Sequence, residues 1–217
     1  MSIALRIILF FAVMIAVLFG SAGRWDLPFF WAIIGIYCAY MVGVMLTIDP
    51  GLRRERFSPG SGGKDRIMRV IMLPLMVANW VLAGLDVGRF HWSDTVPFAL
   101  QVVALVTFAA SFGFVFWAMW ANPFFSPVVR IQAEREHRLI TAGPYRYVRH
   151  PGYAGGLVAA VSGTLALGSW WAMVTVMAYL VMFARRIQLE DGFLKENLDG
   201  YVQYAERVRY RLVPGVW

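Results

Sequence analysis

One cysteine, Cys38, and three scattered histidines, His91, His137 and His150, are all that 217 residues offer a soft metal. A lone thiol builds no internal disulfide and no thiolate cluster, and histidines this far apart give no zinc spacing, so no metal is expected. Charge is scarce as well: Asp, Glu, Lys and Arg make up 15% of the chain, against 59% hydrophobic residues. With a mean hydropathy of +0.60, that balance excludes an ordinary soluble domain. No internal repeat recurs at a fixed period. The glycine run "GSGG" at 60–63 lacks the strand and βαβ surroundings that a dinucleotide-binding loop needs.

What the chain does contain is long apolar runs. A bilayer core about 30 Å thick takes about 20 apolar residues per helix, and several such runs can be read off, with approximate spans at 3–20, 27–48, 67–86, 96–120, 153–168 and 169–185. They predict an all-α integral membrane protein with six transmembrane helices. Only Gly168-Ser169 separates the last two runs, which reads as a tight helical hairpin. The first 24 residues, ending in small residues at 20–23, have the outline of a signal peptide, but five further spans favour a retained first helix. The expected organisation is four N-terminal transmembrane helices in 1–120, with a flexible loop rich in Gly, Pro and charge at 49–66, followed by a catalytic region in 121–217.

The basic residues fix an orientation. With both termini cytoplasmic, that side holds 18 of the 20 Lys and Arg residues, and the opposite side keeps Arg24 and Arg89, as the positive-inside rule requires. The net charge of +7 then serves orientation and attraction to anionic headgroups, and nucleic acid is not an expected partner. Within the third span, Asn79 and Pro74 could line a cavity, although an interhelical hydrogen bond and a kink are the commoner use of such residues.

Polar chemistry gathers in the C-terminal half. Between two greasy runs stands "GPYRYVRHPGY" (143–153). Pro144 and Pro151 each suit the first turn of a helix, and a helix beginning at Pro151 would aim free backbone N–H groups and its positive end at the interface. Arg149 and His150 add a cation and a titratable donor, which together make an anion site. The other reading has Arg149 snorkelling to headgroups, with Tyr145, Tyr147 and Tyr153 as an interfacial belt. Downstream, Arg186, Glu190 and Leu194 fall on one helical stripe, either facing a site or forming ordinary surface pairs.

Three stretches in order, "LITAGPYRYVRHPGY" (139–153), "RIQLEDGFL" (186–194) and "YVQYAERVRYRLVP" (201–214), resemble the isoprenylcysteine carboxyl methyltransferase family and its bacterial relatives, including phospholipid N-methyltransferases. The resemblance covers roughly 137–214. It implies S-adenosylmethionine (SAM) bound without a Rossmann domain, in a cytoplasmic pocket formed by the C-terminal helical segment and lined by His137, Leu139, Ile140, Tyr145, His150, Pro151, Gly152 and Tyr153. By the same resemblance Glu190 closes the cofactor pocket and Arg186 lies near the methyl acceptor, making these two the catalytic pair. Where the family commonly has Glu-Glu, this chain has Glu190-Asp191, which keeps the charge.

The implied partners are the lipid bilayer of a bacterial inner membrane and a lipophilic acceptor with a carboxylate, amine or thiol head. SAM carries a carboxylate, an ammonium and a sulfonium, so a helix start, a carboxylate and aromatic faces suit it. A membrane sterol reductase ends in a close similar to "YRLVPGVW", but NADPH wants more basic residues than the acidic Glu190-Asp191 pair supplies. A non-enzymatic transporter or scaffold is the third reading. The chain lacks the repeat symmetry and midplane ionisable groups of a transporter.

Overall fold

The computed structural model describes residues 2–60 and 66–217, with backbone alone at 66–69. Residues 61–65, which hold most of the "GSGG" run and the end of the expected loop, lie outside the described residues. Among the described residues all regular structure is helical.

Helix α1, Ile3–Ala22, starts where the Ser2 hydroxyl accepts from the Leu5 N–H. It stops at Gly23, whose φ of +71° only glycine adopts freely. Helix α2, Pro28–Thr47, opens on a proline, whose missing N–H would have no intrahelical partner there. Helix α4, Arg66–Gly84, has Pro74 in its interior and runs on into a π-helical segment, Leu85–Phe90; α5 is Phe98–Ala121. Four segments are long and apolar enough to cross a membrane: α1, α2, Val70–Phe90 and α5. The chain is an integral membrane protein. Its outer surface displays Ile8, Leu46 and Val103, a pattern suited to lipid. At one end exposed Trp25 and Trp31, and Trp92 and Trp171, pair up, as residues of an interfacial belt do.

The segment after α2 corrects the expected loop at 49–66. Residues Pro50–Phe57 form helix α3, capped by the Asp49 carboxylate, which accepts from the Gly51 and Leu52 N–H groups. Buried Glu55 fastens this helix across the chain, accepting from Ser126 Oγ at 2.6 Å and Arg130 Nη2 at 2.7 Å. Burial alone would push the Glu55 carboxyl up, but the hydrogen bonds from Arg130 and Ser126 hold it below its usual value.

Helix α6, Pro151–Leu167, ends at Gly168 with φ +88°, and α7, Met173–Asn197, follows after a short turn. The expected turn is there, but α7 does not stop at 185: it carries Arg186, Glu190 and Asp191 onward as one continuous helix. Helix α8, Tyr201–Arg207, closes the chain. The contact between α6 and α5 depends on small residues. A Cβ added at Gly155 would stand 2.6 Å from Val115 Cγ2, and one at Gly163 would stand 2.8 Å from Phe108 Cε2, so the backbones approach closely as in other membrane bundles.

Two buried polar groups join the helices to one another. Asn79 of α4 donates from Nδ2 to Thr164 Oγ1, Thr175 Oγ1 and Ala172 O. It therefore makes interhelical bonds and lines the central cavity as well. Asp86, fully buried, accepts from the Ser93 and Ser169 hydroxyls, which fixes the end of α4 to the α6–α7 turn.

Candidate active site

The ten residues singled out by the resemblance, His137, Leu139, Ile140, Tyr145, His150, Pro151, Gly152, Tyr153, Arg186 and Glu190, all line one cavity of about 680 Å³. Sequence separations of up to 53 positions are closed by three elements. The irregular stretch 122–150 folds over the end of the bundle, α6 starts at Pro151, and α7 returns alongside. From this polar end the cavity continues between the helices past Tyr37, Met76 and Phe108 to Asn79. It therefore joins a charged mouth to an apolar slot.

A relay of three side chains stands where mouth and slot meet. Arg186 Nε donates to the Tyr153 hydroxyl, and that hydroxyl donates to Glu190 Oε2 at 2.6 Å. Arg186 also donates from Nη2 to Pro127 O at 2.6 Å, tying α7 to the 122–150 stretch. The spacing of four residues places Arg186 and Glu190 on the same face of α7, and Tyr153, two residues into α6, reaches across to both.

Behind this relay lies an ionic hub that charge counting alone had not revealed. Asp191, 1% exposed, accepts from Arg149 Nε at 2.7 Å, Arg149 Nη2 at 3.0 Å, the Tyr201 hydroxyl at 2.9 Å and Arg211 Nε at 3.3 Å. His150 Nε2 is 3.4 Å away. Burial by itself raises a carboxyl pKa, but the hydrogen bonds from His150 and Arg149 overcome it and hold Asp191 far below the ordinary carboxylate range. Arg149 therefore turns inward: it is 6% exposed and also donates to the carbonyls of Val208 and Arg209. Of the two readings left open for Arg149, headgroup contact does not hold, because a bidentate carboxylate and two carbonyls already satisfy it inside the protein. Tyr147, by contrast, is 63% exposed, as an interfacial tyrosine would be.

Comparison with known proteins bears on this assembly. Residues 100–199 match the family model described as phospholipid methyltransferase. A probable protein-S-isoprenylcysteine O-methyltransferase of Oryza sativa subsp. indica is 41% identical over 88 residues, 39% of this chain and 45% of that protein. Protein-S-isoprenylcysteine O-methyltransferase B of Arabidopsis thaliana is 35% identical over 149 residues, 66% of each chain. The C-terminal half of the chain is thus similar to this methyltransferase family. Its match spans under half the length of the rice relative. The cobalt-zinc-cadmium resistance protein CzcN of Cupriavidus metallidurans is also similar, 29% identical over 139 residues, 61% of this chain and 58% of that protein.

The 122–150 stretch supplies one wall of the cavity through His137, whose ring stacks on Phe124 at 4.5 Å. The Gln132 N–H points at His137 Nδ1 at 3.3 Å, which requires that nitrogen to accept and so suits the neutral ring. Burial, then the nearby Arg130 and Arg135 guanidinium groups, pull its pKa from 6.5 down to about 4. Between those two values the unfolded chain binds more protons than the folded one. The His137 contribution to stability is therefore full above pH 6.5 and is lost as the pH falls toward 4. Thermal unfolding in detergent at pH 7 and pH 4.5 checks this. The drop should be smaller in His137→Phe, which keeps the stacking, and an identical drop in the two proteins would remove the assignment.

The residues that sequence reasoning missed all brace the cavity. The Tyr204 hydroxyl donates to Tyr145 O at 2.7 Å, and Asn122 Nδ2 donates to the Tyr145 hydroxyl at 3.1 Å. Burial raises the phenol pKa of Tyr145, and burial followed by the Asp191 carboxylate raises that of Tyr201, so both phenols remain neutral. The tyrosine spacing in "YVQYAERVRY" was the available signal, since Tyr201 and Tyr204 recur at helical period on the face of α8 that packs inward.

Proposed function

We propose that this protein transfers a methyl group from SAM to a lipophilic acceptor at the membrane interface. The observation that carries the reading is the cavity's shape. Its polar mouth holds the Arg186–Tyr153–Glu190 relay, and the slot beyond it is apolar and opens among membrane helices. A cavity near 680 Å³ falls within the usual range for cofactor-sized ligands, about 300–1,000 Å³. The donor set suits SAM too: the Glu190 carboxylate for a cation, the Tyr145 and Tyr153 faces for a sulfonium, and the start of α6 for a carboxylate. His137, Leu139, Ile140, His150, Pro151 and Gly152 would complete the holding surface.

Bound there, SAM supplies an electrophilic methyl group. The chain's own part is to orient the acceptor head with Arg186, to fix Arg186 through Tyr153 and Pro127, and to exclude water. Positioning and desolvation are the effects that accelerate such a displacement. An acceptor that is already anionic needs no strong general base. In this reading α6 and α7 complete six membrane spans, with the termini, α3 and α8 on the cytoplasmic side of a bacterial inner membrane, and 121–217 forms the catalytic region.

Thermal unfolding in detergent tests the cofactor. S-adenosylhomocysteine at a hundredfold excess over its Kd should raise Tm by about 5–10 °C, and NADPH should not; the reverse pattern would select the reductase. Labelled SAM mixed with a membrane lipid extract should leave label in a lipid-soluble product. Label confined to water-soluble material would sink the lipophilic-acceptor reading.

A further inference from the structure

The slot beyond the polar mouth is apolar along its walls but not at its inner end. Asn79 lies there, 9% exposed, and its neighbours fix which way its amide turns. The Thr164 hydroxyl donates to Ala160 O at 2.9 Å and the Thr175 hydroxyl to Ala172 O at 2.7 Å, so both hydroxyl protons are already committed. Their oxygens, like the Ala172 carbonyl, can then only accept, which requires the Asn79 NH2 group to face α6 and α7. The Asn79 Oδ1 atom is left on the other side of the amide, and it accepts from no described residue.

Two further polar groups at this level are in the same condition. Trp80, 4% exposed, and Tyr37 of α2 both line the cavity, and the Phe10 ring packs against each of them, at 5.7 Å and 6.0 Å. Neither the Trp80 indole N–H nor the Tyr37 hydroxyl is hydrogen-bonded to a described residue. An acceptor, a donor and a hydroxyl that can do both therefore stand without partners in the interior of a membrane bundle. Covering them with plain hydrocarbon carries the full cost of desolvating each one. There is room for a ligand on the way to them: Gly156 lines the slot, and a Cβ added to it would meet nothing within 4 Å.

We propose that the inner end of the slot is a hydrogen-bonding subsite, centred on Asn79 Oδ1, for a hydroxyl group carried far along the tail of the lipophilic ligand. This rests on the reading of the cavity as an acceptor site, and narrows the acceptor to a molecule with an oxygenated tail, whatever its head. A hydroxyl suits the three groups because it donates to Asn79 Oδ1 and accepts from the Trp80 N–H or the Tyr37 hydroxyl. A ketone only accepts, and would leave Oδ1 unpaired. Helix α6 runs from Tyr153 at the mouth to Thr164 at the subsite, about 16 Å at about 1.5 Å per residue, which sets the distance from the head to the hydroxyl.

The test uses the full chain in detergent and two pairs of probes that share a head and differ at the tail. These are dodecanoic acid against 12-hydroxydodecanoic acid, and dodecylamine against 12-aminododecan-1-ol. Using two heads keeps the result independent of head preference. In a wholly apolar slot the buried hydroxyl would weaken binding about tenfold or more. Wild type should instead bind the hydroxylated member of a pair at least as tightly as the plain one. Tyr37→Phe removes a hydroxyl that no described residue uses, so the fold should persist; it should weaken the hydroxylated probe about threefold and leave the plain one within about twofold. Asn79→Leu should make the hydroxylated probe the weaker binder by about tenfold or more. Should Asn79→Leu fail to fold, because its NH2 group also joins α6 to α7, wild type and Tyr37→Phe still decide. The inference is overturned if wild type binds the hydroxylated probes about tenfold more weakly in both pairs, as a site for water alone would, or if Tyr37→Phe leaves the ratio unchanged. The methyltransferase reading fails separately, by absence of S-adenosylhomocysteine binding to wild type, which the tail preference does not touch.

Discussion

Replacing Arg186 with alanine should lower methyl transfer by about a hundredfold or more while S-adenosylhomocysteine affinity changes by less than about threefold, the scale of losing one preorganised charged contact at a reacting centre. The asymmetry follows from where its atoms point. Arg186 is 9% exposed and is held by the Tyr153 hydroxyl and the Pro127 carbonyl, at the junction of the polar mouth with the apolar slot. Of the features proposed to face the cofactor, Glu190 keeps the Tyr153 hydroxyl as its donor and the start of α6 is held by the Arg149 and His150 N–H bonds to the C-terminal segment. Truncation leaves the Tyr153 hydroxyl without its donor, so some loosening of α6 against α7 accompanies it. Tyr153→Phe is the control: it removes both hydrogen bonds of the relay and keeps the ring packed on Phe183, 5.4 Å away. If Arg186 acts on the acceptor, Arg186→Ala should reduce turnover more than Tyr153→Phe does. Equal loss of turnover and cofactor affinity in Arg186→Ala would assign it to cofactor binding or to fold.

Much of the scaffold could be read from the chain because span length is a local property. The expected span 3–20 became Ile3–Ala22, and 96–120 became Phe98–Ala121. Gly168 ends α6 at the turn expected between the last two runs. Local cues were present at α3 too, in Asp49 followed by Pro50, a cap and a first-turn proline. The abundance of glycine and charge around them outweighed those cues and suggested a loop. Apart from Lys195, one turn along α7 and 3.6 Å away, the contacts of Asp191 could not be read. Its partners Arg149, His150, Tyr201 and Arg211 stand 42, 41, 10 and 20 positions away, and no periodicity links them.

Asp191→Ala should destabilise the protein by about 3–5 kcal/mol, the usual cost of leaving a buried charge without its partner. Arg149 would keep two backbone carbonyls but lose a bidentate carboxylate while buried. Arg211 and the Tyr201 hydroxyl would lose acceptors as well. These partners come from the start of α6, from α8 and from the C-terminal segment, whose Tyr210 and Arg211 carbonyls also accept from the Arg149 and His150 N–H groups. Loss of Asp191 should therefore release the whole wall behind the cofactor surface, and S-adenosylhomocysteine binding should fall together with Tm. That coupling separates Asp191 from Arg186, for which binding persists. Because the Asp191 pKa lies far below its unfolded value, its contribution is full above about pH 4 and is lost only as the pH falls below that. Raising the pH from 5 to 8 should leave the cost of Asp191→Ala unchanged. A double-mutant cycle completes the test: Arg149→Met combined with Asp191→Leu removes both charges, and should be less destabilising than either single change. If the two single losses simply add, the pair is not coupled, and the hub does not hold the wall.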